Sequence, residues 1–368
     1  MSIILFLIVL AVLILSHELG HFIVAKKSGV RVDEFGFGFP PKIAKFKKGE
    51  TTYSLNLIPF GGFVKIHGEE GQEADDPRSF GSKPIWTRSL IISAGVIFNI
   101  ALAWILIIAG FSFGMPVGVS SAPKGAEIKN QKVIILEVAK NSPAEQAGIL
   151  AGDELAGFSR VKEASNYISQ NTGKEIEIRL RRNTRHLAVK PPSGALSGLT
   201  ATADFSVKIT PRINPPAGEG ALGIAMDEIG TVKLPIYRAV IEGTKRTYNV
   251  VVGTAVSLFY FVVGAIKGEV GLGAIAGPVG IAGIAGNAAK FGFVYFLSFI
   301  AFLSINLAII NILPFPAFDG GRLLFLLIEK IKGSPVSPKI SSVVHGAGMA
   351  ILLTLMLMVT YRDILKLF

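Results

Sequence analysis

The chain has no cysteine among its 368 residues. Disulfide scaffolds, thiolate metal sites and thiol nucleophiles are thereby excluded. Any bound metal ion must be held by His, Asp or Glu, and there are only five histidines. Charge is also scarce: 17% of residues are Asp, Glu, Lys or Arg, where soluble domains carry about 25%. Together with 50% hydrophobic residues, this excludes a single soluble domain and a disordered chain. A net charge of +11 would suit a nucleic-acid binder. The basic residues are scattered among acids, however, and membrane proteins need positive loops to set their topology. The composition is that of a membrane protein, with no nucleic-acid partner.

A spanning helix takes roughly 20 mostly apolar residues. Residues 2–25, 90–113 and 291–313 qualify, 343–360 is shorter but almost wholly apolar, and 250–266 is a fifth apolar stretch. The first run has no Lys or Arg before Lys26 and no A-x-A site after it. It reads as a retained span, not a cleaved signal peptide. Residues 25–88 carry eleven Lys or Arg against eight Asp or Glu. After the third run stand Arg322, Lys330, Lys332 and Lys339 against Asp319 and Glu329. Both loops read as cytoplasmic. The segment between the second run and about residue 247 is a whole domain, and long domains translocate largely regardless of charge.

That domain holds short β-rich runs at 132–138 and 175–180, separated by Gly, Pro and Asn turn signals. Residues 141–155, NSPAEQAGILAGDEL, resemble the PDZ signature SPAxxAGLxxGDxI. The pattern occurs once, and the Pro-rich stretch 211–220 reads as an edge or loop. The expected architecture is a polytopic α-helical membrane protein with about four transmembrane helices, a membrane-associated β-element and one inserted extracytoplasmic PDZ domain of mixed α/β type. Its parts are a first span (1–25), a cytoplasmic loop with the β-element (26–88) and a second span (89–113). The PDZ domain (114–230) and a membrane-associated connecting region (231–290) follow. A third span with an Asp loop (291–321), then a cytoplasmic loop and fourth span (322–368), complete the chain.

The chemistry concentrates in the first span. His17-Glu18-Leu19-Gly20-His21 is an H-E-x-x-H motif. Helical residues four apart share a face, so both imidazoles reach one ion, with Glu18 one step round and able to take a proton from water. Zinc in such a site takes three protein ligands and leaves a position for water, whose pKa falls toward about 7. Satisfied core histidines beside a structural Glu are the plainer alternative, but ionisable residues inside a span are costly and point to function. A third ligand has to come from elsewhere. His67, His186 and His345 are the remaining histidines, and none has a second suggestive polar neighbour within a span. Asp319 is a better candidate. It follows an apolar run, Pro314 and Pro316 break the helix, and Gly320-Gly321 permits a tight turn. Helix capping is the other role open to Asp319; a two-His site short of a ligand favours metal binding. If Asp319 joins histidines at the cytoplasmic end of the first span, 250–266 does not cross. It then lies on the outer surface or re-enters, leaving four spans.

These motifs together resemble the site-2 protease family of intramembrane zinc metalloproteases, most closely its bacterial RseP-type branch. The resemblance runs through nearly the whole chain. It includes PFGGFVK at 59–65, FGSKPIWTRSLIISAGVIFN at 80–99, GPVGI at 277–281, and an N-x-x-P-x-P-x-x-D-G-G pattern ending at Gly321. Val96 stands where the family usually has proline, and Phe318 where it has leucine. The resemblance implies peptide-bond hydrolysis within a substrate's transmembrane segment, with His17, His21 and Asp319 binding Zn2+ and Glu18 activating water. It also implies that Asn306 and Asn311 hold the unwound substrate backbone, whose freed N–H and C=O groups need partners in hydrocarbon. Gly61, Gly62 and Phe63 would belong to a membrane-dipping β-element that pairs with substrate by strand addition. Interhelical hydrogen bonding is the alternative for the asparagines, and a simple hairpin turn for Gly61-Gly62.

The expected partners are single-span membrane proteins such as anti-sigma factors or remnant signal peptides, a site-1-type protease acting upstream, and the lipid bilayer. The expected location is the plasma (inner) membrane, multi-pass, with the active site toward the cytoplasm. Two other functions compete. A PDZ-presenting scaffold has no need of charged residues at that depth. A transporter would favour internal repeats with paired broken helices, and no repeat is visible.

Overall fold

The computed structural model describes residues 2–69, 75–182, 203–216, 218–269 and 276–365. His186 lies outside them, as does residues 183–202 of the expected PDZ domain. The chain forms two compact units, one of residues 1–109 and 240–368, the other of residues 110–239.

The first unit begins with α1 (Ser2–Lys27), apolar on every side from Ile3 to Ala25 except where Ser16, His17, Glu18 and His21 interrupt it. Two long strands follow, β1 (Val32–Lys48) and β2 (Thr51–Ile66), then α2 (Ile85–Phe113). The strands bend back on each other, so that Glu34–Phe37 lie between 52–55 on one edge and 62–65 on the other. Ala25, Val30, Val32, Ile66, Phe80, Ile91 and Ile92 pack as one core beneath this sheet. It therefore sits firmly on α1 and α2.

Beyond the second unit come α5 (Ile236–Ile266), α6 (Pro278–Phe291), α7 (Phe293–Ile312), α8 (Asp319–Lys332) and α9 (Pro338–Leu365). α1, α2, α5, α7 and α9 are each long and apolar enough to cross a membrane. The fifth apolar stretch is thus part of a 31-residue helix that begins at Ile236, not Val250. The third apolar run also differs from its expected start at 291. Gly292, at φ +127°, ends α6 and opens α7, a conformation closed to most L residues. Serines bring backbones close: Ser304 Oγ donates to the Asn99 carbonyl at 2.7 Å, and Ser16 Oγ to the Phe98 carbonyl at 3.3 Å. The GPVG motif has a similar explanation. The buried carboxylate of Asp363, on α9, accepts the N–H of Gly280 at 2.9 Å. A Cβ at Gly277 or Gly280 would stand 2.7 or 3.1 Å from its Oδ2.

The second unit is a six-stranded sheet in the order β3-β8-β4-β5-β6-β7. Its strands are β3 (Met115–Gly118), β4 (Ile128–Val138), β5 (Glu154–Leu155), β6 (Ile176–Arg182), β7 (Ala203–Ile209) and β8 (Ile224–Val232). Among the described residues, the α-helices α3 (Pro143–Gln146) and α4 (Val161–Gln170) accompany it. Alternating burial along β6 directs Ile176, Ile178 and Leu180 inward. They meet Val133, Ile135, Ile149, Leu155, Ile168 and Leu222 in one core.

Candidate metal centre

His17 and His21 are four residues apart on α1, with rings 4.8 Å between centroids and nearly perpendicular. Both are buried, at 9% exposure. The Nδ1 of His21 donates to the Ile91 carbonyl of α2 at 2.8 Å. A carbonyl can only accept, so Nδ1 carries a proton, and in the neutral ring Nε2 is the nitrogen with the lone pair. Two glycines make room for the rings. A Cβ on Gly20 would lie 2.4 Å from the Ala94 carbonyl oxygen, so α1 and α2 touch through their backbones here. A Cβ on Gly95 would lie 2.5 Å from both His17 Cε1 and His21 Nε2. Gly95 is therefore the floor of the imidazole pair.

Asp319 reaches the pair from more than 290 positions along the chain. Leu313–Phe318 leave helical geometry after α7, and Asp319 opens α8. The loop is wound tightly around two glycines: a Cβ on Gly320 would sit 2.1 Å from the Leu313 carbonyl oxygen, and one on Gly321 2.4 Å from that of Phe315. α8 is tied at both ends. Arg322 donates to Glu69 at 2.6 Å, and Arg88 of α2 forks onto both oxygens of Glu329. Asp319 makes no capping bond at the start of α8. Its Oδ2 instead lies 3.1 Å from His17 Nε2 and 3.4 Å from His21 Nε2, while the two Nε2 atoms are 3.2 Å apart.

These separations fit a single ion. A tetrahedral centre with bonds of about 2.0–2.1 Å holds its ligands about 3.3–3.4 Å apart. Among the described residues, this trio alone brings three His, Asp or Glu donors within 4.8 Å of one another. Asp319 Oδ2 is buried yet takes no aligned hydrogen bond. It faces the same point as the two Nε2 atoms.

The remaining site candidates are placed separately. Gly62, in β2, passes directly over α1: a Cβ there would stand 2.7 Å from Ile14 Cγ2 and 3.1 Å from Glu18 Cγ. Gly61 is at φ +116°, and Phe63 lays its ring where a Gly36 side chain would be. Asn306 donates to the Phe302 carbonyl at 2.8 Å and lines a groove of about 500 Å³ with α5 residues including Thr254 and Ser257. Asn311, five positions on and so about 140° round α7, is not on that face. Of the other histidines, His67 pairs with Asp76 at 2.9 Å and His345 bonds the Pro316 carbonyl; neither joins the trio. Gly95 was not singled out from sequence, although SAGV in an apolar run carried it; a small residue opposite an H-E-x-x-H helix is the available signal.

Two helical histidines, a Glu between them and a distant carboxylate closing the triangle define a centre of metallopeptidase type. Residues 5–355 match peptidase family M50. The chain belongs to that family, the site-2 proteases that its motifs resemble, and is a peptidase. It is 30% identical to the regulator of sigma-W protease RasP of Bacillus subtilis, over 100% of this chain and 99% of that one. The zinc metalloprotease RasP of Oceanobacillus iheyensis is 28% identical over the same shares. A Clostridium perfringens protein, provisionally named a zinc metalloprotease, is 35% identical over 99% of both chains.

Proposed function

We propose that this protein is an intramembrane zinc metalloprotease that hydrolyses peptide bonds within the transmembrane segments of single-span membrane proteins. The observation that carries the reading is the triangle of His17 Nε2, His21 Nε2 and Asp319 Oδ2, with sides of 3.1–3.4 Å, set in helices of membrane-spanning character. Its relatives are named zinc metalloproteases, and the donor set of two imidazoles and a carboxylate suits that ion. His17, His21 and Asp319 would hold the Zn2+, which would supply Lewis acidity and lower the pKa of water toward neutrality. Glu18, one step round α1, takes the proton from the attacking water and delivers it to the leaving amine.

Substrate recognition follows from the strand above the site. A transmembrane substrate must unwind before its peptide bonds are reachable, and its freed backbone groups then need partners. β2 at Gly61–Phe63 runs over α1, where a Cβ on Gly62 would crowd Ile14 at 2.7 Å and stand 3.1 Å from Glu18 Cγ. It is the natural element for strand addition. Asn306 offers an amide from the α7 side. Residues 114–230, within the second unit, are proposed as a PDZ domain. Ser142 Oγ accepts the Glu145 N–H at 3.1 Å, and Gly148 and Gly152 take φ of +73° and +95° at the signature's two glycines. By the loop charges it is extracytoplasmic and the metal centre lies toward the cytoplasm. RasP of B. subtilis is named for regulating sigma-W. An anti-sigma factor or remnant signal peptide is accordingly the proposed substrate class here, with an upstream site-1-type protease.

The test is cleavage of a tagged single-span reporter in detergent by the wild type and by Glu18→Gln. Cleavage inside the apolar segment by the wild type alone is expected. Equal cleavage by both would sink the role of Glu18.

A further inference from the structure

We propose that His345, on α9, is a positioning residue for the Asp319 carboxylate, acting through the loop that carries it. The inference rests on Asp319 being a metal ligand.

The loop has a hydrogen-bonding problem that His345 solves. Pro314 and Pro316 contribute no N–H, and broken backbone at membrane depth needs donors for its carbonyls. Three carbonyls find them nearby: Leu313 from the Phe315 N–H at 2.7 Å, Phe315 from Phe318 at 3.0 Å, and Phe318 from Gly321 at 3.1 Å. Among the described residues, no backbone N–H reaches the Pro316 carbonyl. Its donor is Nδ1 of His345, at 2.6 Å. Since a carbonyl only accepts, the bond requires the proton on Nδ1.

A second contact on the same face of α9 supports the first. Gly348 is three residues on, hence beside His345 on the helix surface. A Cβ there would stand 2.9 Å from Pro316 Cβ and 3.0 Å from the Ala317 nitrogen. The helix surface and the imidazole thus hold Pro316 and Ala317 from outside, while Gly320 and Gly321 let the loop close from inside. Rotation of the Pro316 peptide would carry Asp319, three residues on, away from the histidines. His345 itself is not in the donor trio. It sets where the carboxylate stands without touching the ion.

The experiment uses the full chain in detergent, comparing wild type, His345→Leu, His345→Asn and Asp319→Ala. The readouts are zinc affinity, the visible spectrum of the Co2+-substituted protein and the thermal midpoint of the zinc-free protein. Outer-shell partners of metal ligands are worth about 10–100-fold in affinity, so His345→Leu is expected to lose that much and to alter the cobalt spectrum. His345→Asn places an amide N–H where Nδ1 was and should restore both. Wild-type zinc affinity and cobalt spectrum in His345→Leu, with zinc lost in Asp319→Ala, would overturn the positioning role alone. Wild-type affinity in Asp319→Ala would overturn the ligand reading beneath it. If Leu and Asn variants fail alike and the zinc-free midpoint falls with them, His345 is a packing residue and the inference is overturned.

Discussion

The two units treat a buried charge in opposite ways. In residues 110–239 the deepest carboxylate is Asp153, at 1% exposure. Arg182 grips both its oxygens at 2.6 Å, and the Leu150 N–H adds a third bond at 2.9 Å. In the helical unit, His17 Nδ1, Asp319 Oδ2 and both amide atoms of Asn99 are buried with no hydrogen-bond partner. Among the described residues of the sheet unit Arg212 Nε is the exception, and that side chain still bonds Glu219 at 2.6 Å through another nitrogen. A buried polar group left unsatisfied costs about 1–3 kcal/mol, more if charged. The fully bonded Asp153 is accounted for by architecture: it fastens the glycine turn before β5 to the end of β6. No architectural partner accounts for Asp319 Oδ2, which stands 3.1 and 3.4 Å from the Nε2 atoms of His17 and His21, where a shared ligand would satisfy it.

The sharpest way to break this contrast is at the site itself. Glu18→Gln is expected to lower cleavage about 10²–10⁴-fold, the usual weight of general acid–base catalysis, while zinc content stays at the wild-type level. Loss of zinc in that variant would make Glu18 part of the metal's support and blur the distinction. On the other side of the comparison, Arg182→Ala strands Asp153 in the sheet core. Breaking a buried pair this way costs about 3–5 kcal/mol. Hydrogen exchange of the Ile135 and Leu155 amides should accelerate accordingly, with zinc affinity unchanged. Slow exchange in that variant would mean that Asp153 is not a structural charge.

Gly95→Ala probes the site's packing with a smaller expected effect. The added methyl meets both imidazoles at 2.5 Å, and overpacking a tight region typically costs about 1–3 kcal/mol. Here the cost should fall on metal binding, since the rings must turn, and isothermal titration with Zn2+ would measure it. An unchanged affinity would show that the rings have slack and that Gly95 serves only helix contact.

How much of this was legible beforehand depended on sequence distance. His17, Glu18 and His21 are local and lie at helical spacing inside an apolar run, so period alone aligns them. Asp319 was legible through punctuation, as a carboxylate delivered by Pro and Gly at the end of another run. Gly95 and His345 were not. Their roles are contacts with backbone or ring atoms of remote segments, and their own neighbourhoods carry no more than a small residue in an apolar run at Gly95. His345 was set aside as lacking a polar neighbour in the chain; its partner is a carbonyl 29 positions away. The sequence marks the β-element at Gly61, Gly62 and Phe63 but not its strands of 17 and 16 residues. Strand pairing that folds back on itself is decided by tertiary contact with α1 and α2, which no local pattern encodes. The turns of 141–155 were legible for the converse reason: a serine cap and two positive-φ glycines are local backbone devices.

The smallest effect tests the same contrast at the surface. Arg181 bonds Asp204 through Nε at 2.8 Å and through a second nitrogen at 3.1 Å. That pairing holds the Asp204 carboxyl below its ordinary value. A depressed folded-state pKa stabilises above the unfolded value, about 3.9, and the contribution is lost as pH falls through the folded one. The window is therefore acidic, opening below about pH 4. The pair is exposed to solvent, so water and salt screen it to about 0.2–1 kcal/mol. At pH 7 Asp204→Asn should unfold slightly more easily than the wild type, and the two should converge as pH drops toward 3. A gap that persists in acid would assign the loss to packing across β6 and β7. A gap much larger than a surface pair allows would place Asp204 with Asp153 among the charges that hold the sheet together.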